Sequence, residues 1–168
     1  REQVIAVLNP EEIKCLRNAA ESPEFRDCAP AVWIMMYAGI RPGEVARLRW
    51  CDVDMEERVI SVRPLASKTG GARHVTVQPV LERLLTGYGI PEGNRPLCPP
   101  NWPLRWRRFR KEAGWGSGGR FRAWRPDVLR HTYASYHAKW FRDFPLLQME
   151  MGHRSSTLLR ARYLNMEG

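Results

Sequence analysis

The sequence predicts a single, mainly helical domain with one small antiparallel β-sheet, an α+β fold. Three observations carry this expectation. The chain has 168 residues, which fits one domain at the usual ~100–200 residues each. Hydrophobic residues make up 43% and charged residues 27%, close to the norm for globular chains, so wholesale disorder and fibrous repeats are excluded. Two β-branched runs, Val59-Ile60-Ser61-Val62 and His74-Val75-Thr76-Val77, flank the turn residues Ser67-Lys68-Thr69-Gly70-Gly71, whereas most of the remaining chain is divided by helix start and stop signals.

The first helix starts at Asn9-Pro10-Glu11-Glu12, with Asn9 as cap, Pro10 in the first turn and Glu12 at the capping-box position, and runs to about Ala20. A second spans about Asp27 to Ala38 and stops at Gly39, suited to a left-handed cap. Its apolar run, Ala29 to Ile40, is too short for a membrane span of ~20 residues and reads as a buried helix. Arg41-Pro42-Gly43-Glu44 opens a third helix, placing Arg41 at its entrance and within reach of the Glu44 carboxylate. The β-hairpin carries Lys68 near its tip. Pro79 to Tyr88 is helical, and an irregular crossing rich in Gly and Pro leads to a basic helix over 102–113. Gly114 to Gly119 break the chain again. A long helix follows from Pro126 to about Trp140, then shorter helical stretches over about 144–151 and 155–165.

Charge is distributed unevenly. Residues 1–100 hold 13 basic and 13 acidic side chains, while residues 101–168 hold 14 and 5, so the whole formal charge of +9 lies in the C-terminal part. Of the 27 basic residues, 23 are arginine, whose planar fork matches phosphate in two-point geometry. The cluster Arg105, Arg107, Arg108, Arg110, Lys111, Arg120, Arg122 and Arg125, with Trp115, Phe121 and Trp124 interleaved, fits a surface that tracks a nucleic-acid backbone. A solvated basic helix face is the alternative. Cys15, Cys28, Cys51 and Cys98 form no Cys-x-x-Cys pair and have no histidine at zinc-ligand spacing, so no metal site is expected. Arg1-Glu2-Gln3-Val4 has neither an initiator Met nor a signal-peptide pattern, and the sequence reads as a piece of a longer protein.

Four motifs then occur in a recognisable order. The stretch from Ala38 to Trp50, with Asp52 and Asp54, resembles the first arginine signature of the tyrosine recombinases, the phage-integrase family. Ser67-Lys68-Thr69-Gly70 resembles its β-hairpin lysine, and Leu129-Arg130-His131-Thr132-Tyr133 its second arginine motif. Met151-Gly152-His153, then Arg162-Tyr163, resemble its closing histidine and nucleophilic tyrosine. The resemblance runs over about residues 8–166 and implies the catalytic-domain fold of that family for 1–168, with the family's upstream DNA-binding domain absent from this chain.

The implied function is site-specific DNA recombination through a 3′-phosphotyrosine, for integration or excision of a mobile element. Tyr163 would be the nucleophile, Arg41 and Arg130 would grip the non-bridging phosphate oxygens, Lys68 would protonate the leaving 5′-oxygen, and His153 would donate a hydrogen bond. Two permanent cations make a metal or other cofactor unnecessary in this scheme. The implied partners are double-stranded DNA and further copies of the chain, a tetramer on DNA and a monomer alone. The implied location is cytoplasmic and nucleoid-associated, in a bacterial or phage-derived setting, with no membrane.

The match departs from the family at Asp127, where histidine is usual three residues before the second arginine. Asp127 reads either as a helix N-cap or as a carboxylate serving the tyrosine proton or Arg130, and His131 stands as a partial substitute for the missing imidazole. Two other functions stay open: a DNA-binding relative with impaired cleavage, and relaxation of DNA in the manner of a type IB topoisomerase.

Overall fold

A computed structural model describes residues 6–64, 72–141 and 149–151 of the chain. Lys68 with its turn, His153, Tyr163, the expected helix over 155–165 and most of that over 144–151 lie outside the described residues. Within them the fold is mainly helical with one three-stranded antiparallel sheet. No helix among the described residues is long and apolar enough to cross a membrane.

Helix α1 (Pro10–Glu21) begins with the expected reciprocal cap. The Glu12 amide donates to Asn9 Oδ1 at 2.9 Å, and the Asn9 amide donates to Glu12 Oε1 at 3.0 Å, so two of the helix's orphan donors are satisfied by side chains. A 3-10 turn (Pro23–Cys28) then leads into α2 (Ala29–Ala38). Helix α2 has almost no solvent face: every residue but Tyr37 is buried. A helix apolar all round belongs inside, and α2 is the axis on which α1, the short α3 (Pro42–Val45), α4 (Pro79–Tyr88) and α6 (Val128–Phe141) pack.

The sheet order is β1 (Val53–Asp54), β2 (Val59–Val62), β3 (Arg73–Thr76). The two-residue β1 has no run long enough to show period-2 alternation, so the sequence pattern anticipates only β2 and β3. In the β2–β3 register Ile60 faces Val75 and Val62 faces Arg73. Ile60, Val62 and Val75 are buried and turn one face of the sheet onto the core.

Helix α5 (Trp102–Ala113) buries Trp102, Trp106, Phe109 and Ala113 against α1 and the 3-10 turn. Trp106 and Trp115 each meet Trp124 edge-on, with ring centroids 5.4 and 5.0 Å apart. The aromatic residues between the arginines therefore form the inner layer of this part of the fold. Trp115 is buried and Phe121 and Trp124 are partly buried, so these rings pack against protein and are not presented as a stacking platform.

At the C-terminal end of α2 the backbone of Gly39 takes the left-handed conformation at φ 68°. A Cβ there would collide with the Tyr133 ring of α6. Position 39 thus needs glycine twice over, for its dihedral and for the close approach of α6 to the chain just before Arg41.

Candidate active site

Arg41 is the exposed residue preceding α3. Its carbonyl accepts from the Glu44 and Val45 amides, both at 2.9 Å, and its own amide donates to Glu44 Oε1 at 3.2 Å. Glu44 is thereby fixed to the Arg41 backbone. The expectation that Glu44 holds Arg41 is met through the main chain, while the guanidinium that Glu44 grips belongs to another residue, Arg73 at the start of β3. Arg73 Nη2 donates to Glu44 Oε1 at 2.8 Å and Nη1 donates to Oε2.

Glu44 is 4% exposed. Burial alone would push its carboxyl pKa up, but the hydrogen bonds and charge of Arg73, with the amide and charge of Arg41, outweigh it and hold the pKa below the ordinary carboxylate value. Two-point pairing with a guanidinium is the geometry in which a buried carboxylate is best compensated.

Arg130 is in the first turn of α6 and 4% exposed. Its Nη1 donates to the Gly39 carbonyl at 3.0 Å and its Nη2 to the Met151 carbonyl. The Gly39 carbonyl belongs to the C-terminal end of α2, where orphan acceptors and the negative end of the helix dipole favour a cation. Because Arg41 follows Gly39 by two residues, its Cα is within about 7 Å of the Gly39 Cα. Two motifs 91 positions apart are brought together by one hydrogen bond.

Residues 149–151 are joined to the same place. Arg73 Nε donates to the Glu150 carbonyl at 2.7 Å, the Thr76 amide donates to Glu150 Oε2 at 2.9 Å, and the Tyr133 hydroxyl donates to Glu150 Oε1 at 3.4 Å. The contacts close a ring: Arg41 amide, Glu44 carboxylate, Arg73 guanidinium, Glu150 carbonyl, the adjoining Met151 carbonyl, Arg130 guanidinium, Gly39 carbonyl, and back along the chain to Arg41. Sequence reasoning missed Arg73 and Glu150. The available signal for Glu150 was an acid inside the apolar stretch Leu146 to Met151; an arginine opening a strand carries no comparable one.

Burial pushes the phenols of Tyr37, Tyr88 and Tyr133 above their ordinary pKa, with Glu150 adding to the effect at Tyr133. None of these three is an activated nucleophile. Burial also pushes the Cys28 and Cys98 thiols up to about 12, which keeps them protonated and inert. Among the described residues no group of three or more His, Cys, Asp or Glu is placed to hold a metal.

Asp127 is exposed immediately before α6, and its carbonyl accepts the first helical bond, from the His131 amide at 3.0 Å. It occupies the N-cap position. His131, on the next turn, is half-buried.

The basic cluster divides in two. Arg105 donates to Asp27 Oδ1 at 2.6 Å and to the Glu24 carbonyl at 2.8 Å, with its guanidinium 4.9 Å from the Phe25 ring centroid. Arg110 lies over Trp106 and Trp124. Arg120 pairs with Glu11 on the surface. Arg107, Arg108, Lys111, Arg122 and Arg125 are exposed. A cleft of about 310 Å³ lined by Met36, Tyr37, Val80, Leu129 and His137 among others is almost wholly apolar, and neither Arg41 nor Arg130 borders it, so it is no anion site.

The profile of the Phage integrase family matches residues 6–167. No curated protein sequence matches the chain. Among solved structures, XerA recombinase is similar at 25% identity and TM-score 0.71 over 97% of this chain, which spans 61% of XerA. The catalytic domain of bacteriophage HP1 integrase is similar at 20% identity and TM-score 0.71 over 96% of this chain, which spans 88% of that domain. The Tn1549 transposon integrase, solved with a circular intermediate DNA, is similar at 18% identity and TM-score 0.68 over 97% of this chain, which spans 62% of it.

The depressed Glu44 pKa carries a sign for stability. A carboxylate whose pKa is lower folded than unfolded contributes fully above its unfolded value of ~4.3, and the contribution is lost as pH falls through the folded value. Glu44→Gln, which leaves Arg73 without its counter-charge, should cost about 3 kcal/mol at pH 7 in urea melts. The difference from the parent should shrink between pH 5 and pH 3; a constant difference would show that the Glu44 charge contributes nothing.

Proposed function

The chain belongs to the phage integrase family, and from that premise we propose that it is the strand-cutting unit of a site-specific DNA recombinase serving integration or excision of a mobile element. The observation that carries the reading is the bond from Arg130 to the Gly39 carbonyl, which joins the two arginine motifs at one point. The Tn1549 integrase structure holds a circular intermediate DNA and the XerH recombinase structure a palindromic difH substrate, and double-stranded DNA is the proposed partner here, with the chain acting in a tetramer.

In the proposed reaction the Tyr163 oxygen attacks a backbone phosphorus and passes its proton to water, a 3′-phosphotyrosine bond forms, and the bond to the 5′-oxygen breaks. Lys68 gives that oxygen its proton. Arg41 and Arg130 neutralise the charge that builds on the non-bridging oxygens, and His153 donates a further hydrogen bond. A guanidinium held as that of Arg130 is by two carbonyls needs no reorganisation as the five-coordinate phosphorus forms, which is where electrostatic catalysis gains most. The covalent bond conserves the energy of the broken phosphodiester until a partner strand replaces the tyrosine. Asp127, at the mouth of α6, is the nearest departure from the family's usual set; as an N-cap it serves the helix that carries Arg130.

Incubating the full-length protein with a randomised duplex library and recovering DNA that stays attached in detergent tests the reading and maps the cleavage site. The expected result is a protein–DNA adduct joined at a 3′-phosphate, lost in Tyr163→Phe. DNA bound but never covalently attached, even with nicked duplexes, would instead favour a non-cleaving relative, and relaxation of plasmids without regard to sequence would favour a topoisomerase.

The exposed half of the basic cluster generates a second expectation. Neutralising Arg107, Arg108 and Lys111 together should flatten the dependence of log K on log salt by roughly 2–3, at about 0.9 per phosphate contact. Arg105→Gln should leave the slope nearly unchanged, because Asp27 already occupies that guanidinium. An unaltered slope in the triple variant would place the cluster away from DNA.

A further inference from the structure

Arg73 lies outside the four motifs, yet the ring of contacts around the site runs through it. Three of its donors are committed to protein acceptors: Nη1 and Nη2 to the two oxygens of Glu44, and Nε to the Glu150 carbonyl. Its side chain is 16% exposed and that of Glu44 3%. These bonds orient the guanidinium toward Glu44 and the Glu150 peptide. The Glu44 oxygen that receives Arg73 Nη2 is the one that receives the Arg41 amide. The orientation of the Glu44 carboxylate, and with it the start of α3, is set by Arg73.

We infer that Arg73 is a positioning residue for Arg41, acting through Glu44 and tying the entrance of α3 to the peptide at Glu150, next to the Met151 carbonyl that holds Arg130. The inference rests on the proposed role of Arg41 as a clamp on the non-bridging phosphate oxygens. Without Arg73 the Glu44 carboxylate loses its two-point partner, and the Arg41 backbone loses the fixed acceptor that defines where its side chain leaves the chain. A lysine cannot replace it, since one ammonium on a flexible stem does not satisfy both Glu44 oxygens and the Glu150 carbonyl together.

The test uses the full-length protein and a nicked duplex carrying the cleavage site mapped by adduct trapping, made either with the normal phosphodiester or with a methylphosphonate at the scissile position. The methyl group removes the non-bridging negative charge, and with it the need for a cation placed on that oxygen. Arg73→Gln and Arg41→Ala should each slow cleavage of the phosphodiester by about 10²-fold, with Arg73→Lys in between. All three should come within a few-fold of the parent on the methylphosphonate. Arg58→Gln, which removes a surface pair with Glu82, should behave as the parent on both substrates. If Arg73→Gln is as fast as the parent on the phosphodiester, or equally slow on both substrates while Arg41→Ala is restored, the positioning role is wrong and a loosened fold is the better account. If Arg41→Ala is itself not restored, the clamp role of Arg41 fails and the inference falls with it.

Discussion

A buried guanidinium must be surrounded by acceptors, and this requirement at Arg130 organises the site. The side chain carries a permanent charge, is 4% exposed, and is held by the carbonyls of Gly39 and Met151. Each acceptor belongs to a different part of the chain. Gly39 caps the central helix α2, and Met151 follows Glu150, which is bonded to β3. The stability of Arg130 in the interior therefore depends on those two segments being in place, and the placement of Gly39 fixes the approach to Arg41.

The second buried pair follows the same logic with the charges reversed. Glu44 is buried and needs a cation, which β3 supplies as Arg73, and Glu150 is buried and receives the Thr76 amide and the Tyr133 hydroxyl. The ring holds the Glu44 carboxylate between the guanidinium of Arg73 and the Arg41 amide, with the Glu150 carboxylate beside it on the Thr76 amide. Arg41 remains at the exposed edge. A polar ring that is satisfied internally specifies one arrangement of its members, whereas a partly satisfied one destabilises the core around it. The apolar part of the fold supports this: α2 is buried along its length, and the Tyr133 ring packs where only a glycine backbone fits.

Much of the fold was legible in the sequence because its punctuation is local. Asn9, Pro10 and Glu12 define the start of α1, Gly39 the end of α2, and the β-branched runs the β2–β3 hairpin. The strand β1 was not legible, since two residues show no alternation, and Pro126 and Asp127 precede α6 without joining it. In the site, Arg41, Glu44 and Arg130 were legible through their motifs, and hydrogen bonds at the Arg41 amide and the Gly39 carbonyl link their segments. Arg73 and Glu150 were not, because their partners lie 29 and 74 positions away and no short-range pattern encodes a long-range ion pair. The basic cluster was legible as charge but not as geometry. Spacing along a sequence does not reveal that Arg105 turns to Asp27 or that the tryptophans between the arginines face inward.

The central claim is that Arg41 and Arg130 converge on one phosphate. A crystal structure of the protein grown with vanadate or sulfate tests it without knowledge of the DNA site. The account predicts an anion within hydrogen-bond reach of both guanidiniums, beside the N-terminus of α6. An anion bound only at the basic face of α5, with the two arginines directed to separate surfaces, would contradict it.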